Sequence, residues 1–215
     1  MFDSLKKLFA VKSGPEPIVK PEPPELLGLR LGASLTIDPI KLDLIQPALT
    51  IDGANPDQVI EAVGVVRLDQ QRKIVRYYTD DEAFLQVQLD GEHIQELSLW
   101  YFFDSKGVIE ADWQALLDHQ VATGRYELDG QIFNQSWQGE QVELLTETTY
   151  HRDGSVSETD QFCMAYYRDV DNPHLDIEML LVSAEEKHNT VTQRLDRELV
   201  RSTGFMLNTI DIRNN

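Results

Sequence analysis

The richest polar constellation in this 215-residue chain is Asp80, Asp81 and Glu82, preceded by Arg76, Tyr77 and Tyr78 and followed by Gln86. Consecutive acids of this kind suit a turn, where short carboxylate side chains satisfy backbone amides, and that accounts for them without any function. Carboxylates flanked by tyrosines also have a chemistry of their own. They bind an amine or a cation, the rings supplying cation–π faces. Arg76, Tyr78, Asp80, Asp81, Glu82 and Gln86 are therefore the candidate ligand-binding residues. A second pattern sets an imidazole two residues before a carboxylate, in His151 with Asp153 and in His174 with Asp176. On a strand such a pair shares one face, as metal ligation or general-base chemistry requires. His151 and Asp153 adjoin a tight turn that explains them. His174 and Asp176 follow Pro173 at a strand entrance and carry the alternative reading, a metal-assisted hydrolase. Asp169, Asp171 and Asn172 begin like a calcium loop, but Pro173 takes the next place and no glycine follows it, so the pattern fails as an EF-hand.

Other catalytic signatures are missing from the sequence. Ser155 follows Gly154 without the second glycine of a nucleophile elbow, and there is neither a phosphate-cradling Gly-Lys-Ser or Gly-Lys-Thr loop nor a dinucleotide fingerprint. Function has to be argued from a site. With no nucleophile, cofactor loop or metal constellation legible, the expectation is a non-catalytic binding or adaptor protein that uses no cofactor.

Charge narrows the partners. Asp and Glu number 37 against 19 Lys and Arg, giving a net charge of −18. Phosphate binding needs a basic face, so nucleic acid is excluded as a partner. An acidic surface serves solubility, or it attracts a basic partner. The single cysteine, Cys163, rules out an internal disulfide and any multi-cysteine zinc site, and points to a reducing, cytoplasmic compartment. Within the apolar run from Phe162 to Tyr167 it reads as a small buried hydrophobe rather than a nucleophile. No run approaches the roughly 20 apolar residues of a bilayer span, and the N-terminal apolar stretch, broken by Lys6 and Lys7, is too short for a signal peptide.

The elements that position these residues read mainly as strands. From Ile60 to Phe103, turn-like clusters at Asp69–Arg72, Thr79–Glu82 and Asp90-Gly91 separate four apolar runs of strand length, an antiparallel meander. Its last run is expected to end in a turn at Asp104–Gly107. Before it, short strands are expected from Leu26 to Ile51, interrupted where Asp38 and Pro39 break the run. After it, Trp113, Leu116 and Leu117 fall at helical spacing within Glu110–Gln120, the clearest helix. Hairpins follow at Asp129-Gly130 and Asp153-Gly154, the dipeptide that best tolerates the positive φ of a tight reversal. Leu175–Ser183 reads as a buried strand, Ala184–Arg201 as a helix on the stripe Val191, Leu195, Leu199, and Met206–Ile212 as a closing strand. The fold class expected is α+β, mainly β, with an antiparallel sheet and one or two helices.

The N-terminus is organised differently. Phe2, Leu5, Leu8 and Phe9 form one helical stripe beside Lys6, Lys7 and Lys12, and Ser13–Pro24 carries five prolines, an extended linker. The expected organisation is a basic amphipathic tip with its linker over residues 1–24 and one globular domain over 25–215. A helix this short orders only against a surface, so Phe2, Leu5, Leu8 and Phe9 are the candidate contacts to an anionic membrane or a partner groove. One such segment binds weakly, and oligomerisation or a membrane-associated partner would supply the copies that useful affinity needs. A cytoplasmic body held at the inner membrane face is the arrangement this favours.

Two stretches carry a resemblance. Arg76-Tyr77-Tyr78-Thr79-Asp80-Asp81-Glu82-Ala83-Phe84-Leu85-Gln86-Val87 and Asp160-Gln161-Phe162-Cys163-Met164-Ala165-Tyr166-Tyr167-Arg168-Asp169, with the basic N-terminus before a proline-rich linker, resemble the YjfK family of bacterial proteins, a domain of unknown function. The resemblance transfers no catalytic residue. It implies a genomic setting beside a membrane-coat protein of the phage-shock type and an enzyme similar to glutathionylspermidine synthetases, hence a membrane-linked or polyamine-related context.

Overall fold

The computed structural model describes residues 22–51, 53–136, 142–189 and 192–214, so the N-terminal stripe of Phe2, Leu5, Leu8 and Phe9 lies outside the described residues. The first described elements are β1 (Ser34–Ile37) and the helix α1 (Pro39–Ile45). The meander follows as β2 (Asp57–Arg67), β3 (Arg72–Thr79), β4 (Ala83–Asp90) and β5 (His93–Gly107). Helix α2 (Glu110–Leu116) runs on into a π turn at Leu117–Val121, and the small hairpin β6 (Arg125–Leu128) and β7 (Gln131–Gln135) comes next. A second set of long strands, β8 (Glu143–His151), β9 (Val156–Asn172), β10 (Leu175–Asn189) and β11 (Arg194–Met206), leads to β12 (Ile212–Asn214).

Two four-stranded meanders, β2 to β5 and β8 to β11, face one another and join first strand to first and last to last. β5 pairs with β11 over Ser98–Gly107, and β2 pairs with β8 over Ala62–Val66 against Glu147–His151. With β8 bound to β9 on its other side, the hydrogen-bonded order β2-β3-β4-β5-β11-β10-β9-β8 returns to β2, antiparallel throughout. The sheet is a closed barrel of eight strands, which leaves the strands of the ring without free edges along most of their length.

Alternation along these strands sorts side chains to the two sides of the barrel wall. The outer sides are apolar and covered. Val63, Val75, Tyr77, Leu85, Val87 and Leu99 pack with Leu29 from the preceding segment, Leu35 and Ile37 of β1, and Leu42 and Ile45 of α1. On the other meander, Met164, Tyr166, Leu180, Val182 and Leu199 pack beneath Trp113 and Leu116 of α2 and Leu128 and Phe133 of the small hairpin. The inner side is left to the opposite register, and there a polar set, Arg76, Gln86, Ser98, Glu147, Gln161 and Ser183, is buried beside Val66, Ile74, Phe84, Trp100 and Cys163.

Four expectations are corrected. Asp38 and Pro39 begin a helix, because the Asp38 carboxylate accepts from the amides of Ile40 and Lys41 while Pro39 occupies a first-turn position that needs no N–H. Asp104–Gly107 continues β5 instead of turning, held by pairing to Glu198–Arg201 and by the Arg201–Asp104 ion pair. Ala184–Arg201 is not a helix: β10 runs on to Asn189, and β11 returns from Arg194. Met206 ends β11, Thr209–Asp211 is a 3-10 turn closed by a capping box on Asn208, and only Ile212–Asn214 forms the last strand.

Candidate functional site

The polar interior is built on β3. Arg76 stands directly across from Gly64 on β2 and Gln86 on β4, and Gln86 stands across from Ser98 on β5, so these four form one transverse row. A Cβ at Gly64 would lie 1.7 Å from Glu147 Oε1. The missing side chain is the space through which Glu147 of β8 reaches Arg76.

Arg76 is 3% exposed and Glu147 1%. Arg76 Nη1 donates to Glu147 Oε2 (2.6 Å) and to Gln161 Oε1 (2.7 Å), and Nε donates to Gln86 Oε1 (2.9 Å). Tyr78 Oη donates to Glu147 Oε1 at 2.7 Å. Burial and the neighbouring Glu147 charge hold the Tyr78 phenol well above its ordinary pKa, so it remains a donor. Gln161 Nε2 passes the chain on to Glu185 Oε1 (3.2 Å), whose carboxyl burial pushes up to about 7. The guanidinium also lies over the Phe84 ring, 5.3 Å from its centroid, and Phe84 stacks on Trp100 at 6.1 Å. Gly204 makes room for that indole, since a Cβ there would sit 2.7 Å from Trp100 Cδ2. A charge so far from water is tolerable only when paired and hydrogen-bonded on this scale.

A cavity of about 1040 Å³ adjoins the network, lined in part by Arg76, Gln86, Trp100, Cys163 and Leu181. Its lining extends to Val65, Arg67, Leu68, Leu144 and Thr146, around the place where the β2–β8 pairing stops at Val66 and Glu147 and the first residues of β8 pair with β9 alone. The barrel wall therefore has its opening where β2 and β8 part.

The sequence-predicted constellation is divided between two places. Arg76, Tyr78 and Gln86 belong to the interior network. Asp80, Asp81 and Glu82 form the β3–β4 turn: Asp80 Oδ1 accepts from the Val59 amide (2.8 Å), and Asp81 Oδ2 accepts from the Asn55 amide (2.8 Å) and Gln58 Nε2 (3.2 Å). With Tyr101, Phe102, Phe103 and Thr203 these acids line a smaller cleft of about 430 Å³. Thr203 Oγ1 is buried there with no hydrogen-bond partner among the described residues. His174 and Asp176 are exposed at the start of β10, the His174 amide donating to Asn172 Oδ1. His151 Nε2 lies 2.9 Å from Ser157 Oγ. Among the described residues no three His, Cys, Asp or Glu side chains are grouped as metal ligands, and no helix is long and apolar enough to cross a membrane. Cys163 is buried on the inner side near Ser183 Oγ (3.4 Å), and burial pushes its thiol up to about 11.

Glu147, Gln161 and Glu185 were not singled out from sequence. Glu147 and Gln161 lie among polar neighbours, Thr146, Thr148 and Asp160, and so read as solvent-facing strand residues, while Glu185 fell in the stretch expected to be helical. Arg76 offered the available signal: an arginine between Val75 and Tyr77 in the middle of an otherwise apolar strand requires an acidic partner.

The sequence profile of a family described as "Protein of unknown function (DUF2491)" matches residues 1–213. The Uncharacterized protein YjfK of Escherichia coli (strain K12) is 28% identical over 176 residues, covering 76% of this chain and 78% of that protein. No solved structure matches.

Proposed function

This chain belongs to that family of proteins of unknown function, and from that premise we propose that it is a non-catalytic binding protein whose barrel holds a small molecule and whose acidic exterior engages a partner. The observation that carries the reading is the closed ring of eight strands with a cavity of about 1040 Å³ at its β2–β8 opening, next to the hydrogen-bonded Arg76–Glu147 network. Barrels of this strand number have interiors of the size of one small ligand, and pockets that bind such molecules combine apolar walls with a few fixed polar groups. Arg76, Tyr78 and Gln86 are the ligand-side residues of this proposal. Arg76 donates to Glu147, Gln161 and Gln86, and Tyr78 donates to Glu147, bonds that hold the three in place and give them no nucleophile or general base to work with.

The rim cleft of Asp80, Asp81 and Glu82, with Phe102 and Phe103 exposed beside it, suits a cationic group of a basic protein partner. The basic tip of Phe2, Leu5, Leu8 and Phe9 is the proposed tether to an anionic membrane or membrane-associated protein, which makes the cytoplasmic face of the inner membrane the place of action. A phage-shock-type coat or a polyamine-related system, as the family resemblance implies, is the setting proposed for that partner.

Native mass spectrometry of the gently purified full chain tests the central reading. A small molecule retained at one per chain, and lost in a folded Leu181→Trp variant that fills the cavity, is the expected result; equal retention by both proteins overturns it. For the tether, the full chain and a chain lacking residues 1–24 are compared for flotation with anionic liposomes and for capture of membrane-associated proteins. Identical behaviour of the two would remove that part of the proposal.

A further inference from the structure

We infer that the barrel cavity is built for a ligand with a hydrogen-bond-accepting head, a carboxylate on an aliphatic or aromatic body. The inference rests on the reading of the barrel as a binding cavity and adds the chemical class of what it binds.

The argument starts from a property of arginine. A guanidinium has donors and no acceptor, so any amide atom that meets it must be the carbonyl oxygen. Arg76 Nε thereby fixes Gln86 Oε1, and Arg76 Nη1 fixes Gln161 Oε1. With each carbonyl turned toward Arg76, each amide NH2 is turned away from it. The NH2 of Gln161 is satisfied by Glu185. That of Gln86 has no hydrogen-bond partner among the described residues, although the side chain is only 6% exposed and lines the cavity. That donor is not sealed in the wall, since Thr203 Oγ1 is the buried side-chain atom left without a partner among the described residues; the Gln86 NH2 stands open to the cavity, where a ligand acceptor can meet it.

The acceptors at the floor are already engaged. Glu147 Oε2 takes Arg76 and Oε1 takes Tyr78, so no free carboxylate oxygen of Glu147 is left for an ammonium group. Trp100 donates its own N–H to Ser98 Oγ and presents only its ring. Ile74, Trp100, Leu145, Met179 and Leu181 supply apolar wall for the body of the molecule.

Charge at the lining is consistent with an anion. Arg67, Arg72 and Arg76 line the cavity against Glu96 and Glu143, in a chain whose net charge is −18. Arg72 is shared with Asp69 (2.7 Å) and Arg76 with Glu147 (2.6 Å), and burial raises the pKa of the Glu96 carboxyl. Arg67 is the lining arginine without an ion pair among the described residues, and it is the cation an anionic head would meet at the mouth of the cavity.

Isothermal titration of the full chain with decanoate, decanol and decylamine, each below its micelle concentration, tests the inference. Decanoate is expected to bind one per chain and at least about tenfold more tightly than the other two, the scale of one hydrogen bond to a charged group. Gln86→Glu keeps an acceptor for Arg76 Nε but replaces the NH2 with a second acceptor. It is expected to lose about tenfold or more for decanoate with decanol unchanged, while its thermal melt shows that the barrel is folded. Equal binding of all three probes, or a Gln86→Glu protein with unaltered decanoate affinity, overturns the inference and leaves the cavity reading standing. Absence of binding by any of the three overturns both.

Discussion

Gly64 and Glu147 share one space: the position a Cβ of Gly64 would take lies 1.7 Å from Glu147 Oε1. The buried carboxylate can cross β2 to reach Arg76 only because residue 64 has no side chain. Gly64→Ala is therefore expected to push Glu147 off Arg76 and destabilise the barrel by about 3–5 kcal/mol, the scale of a broken buried ion pair. Gly107→Ala, with open space around it, is the comparison and is expected to stay within about 0.5 kcal/mol. Urea unfolding of the two variants measures the difference.

Arg76 and Glu147 are each worth more to the other than to the fold. Arg76→Met alone leaves Glu147 buried without its cation, and Glu147→Leu alone leaves Arg76 without its anion. Each single change is expected to cost about 3–5 kcal/mol, and the double change clearly less than the sum of the two. A double-mutant cycle by chemical denaturation checks this; additive losses would mean that the pair is not coupled.

Glu185 gives the barrel a pH dependence. Its folded pKa of about 7 lies above the ordinary 4.5, because burial favours the neutral acid. The folded state then binds the proton more tightly than the unfolded chain does. The stability this contributes is fully present below about pH 4.5, declines as pH rises, and is lost above about pH 7. Glu185→Gln is expected to match the native chain near pH 5 and to exceed it at pH 8. Melting temperatures of the two proteins across that range decide the matter, and parallel curves would count against it.

Cys163 is expected to be inert in the folded protein. Burial holds its thiol at about 11, so the thiolate that reacts with alkylating reagents is scarce at pH 7.5. Iodoacetamide should leave the native chain unlabelled over an hour or so and label it fully in urea, as read by intact-mass spectrometry.

What the sequence disclosed follows the range of the interactions concerned. The hairpins at Asp90-Gly91 and Asp153-Gly154 were legible because the reversal is encoded in the two residues that make it, and both glycines adopt positive φ, 60° and 80°. The β10–β11 reversal has no such marker near Gln193, which takes φ 55° without being glycine. With no visible turn, the spacing of Leu195, Leu199 and Val200 read as helical. In the structure Leu199 and Val200 are buried and Leu195 is exposed along a strand. Arg76, Tyr78 and Gln86 were picked out as a group because their cross-strand pairing is local. Their partner Glu147 lies 71 residues from Arg76, and nothing in a single sequence announces a pairing over that distance. For the same reason the meander could be read, but not the fact that it closes into a barrel.

The join between β2 and β8 also bears on the order of folding. Its five residue pairs, Ala62 to Val66 against Glu147 to His151, bring together segments about 80 residues apart; the β5–β11 join reaches further along the chain but is held by nine pairs, and both meanders are made of neighbouring hairpins. Loop closure over such a separation is slow and yields few contacts until the rest is in place. Each meander is thus predicted to condense on its own, with the clasp between them last to shut and first to spring open. In native-state hydrogen exchange, the amides of Val63 and Val65 should then lose protection before those of Val75 and Val87; the reverse order would refute it. A molecule entering or leaving the interior would have a door in this clasp, at the place where the chain last came together.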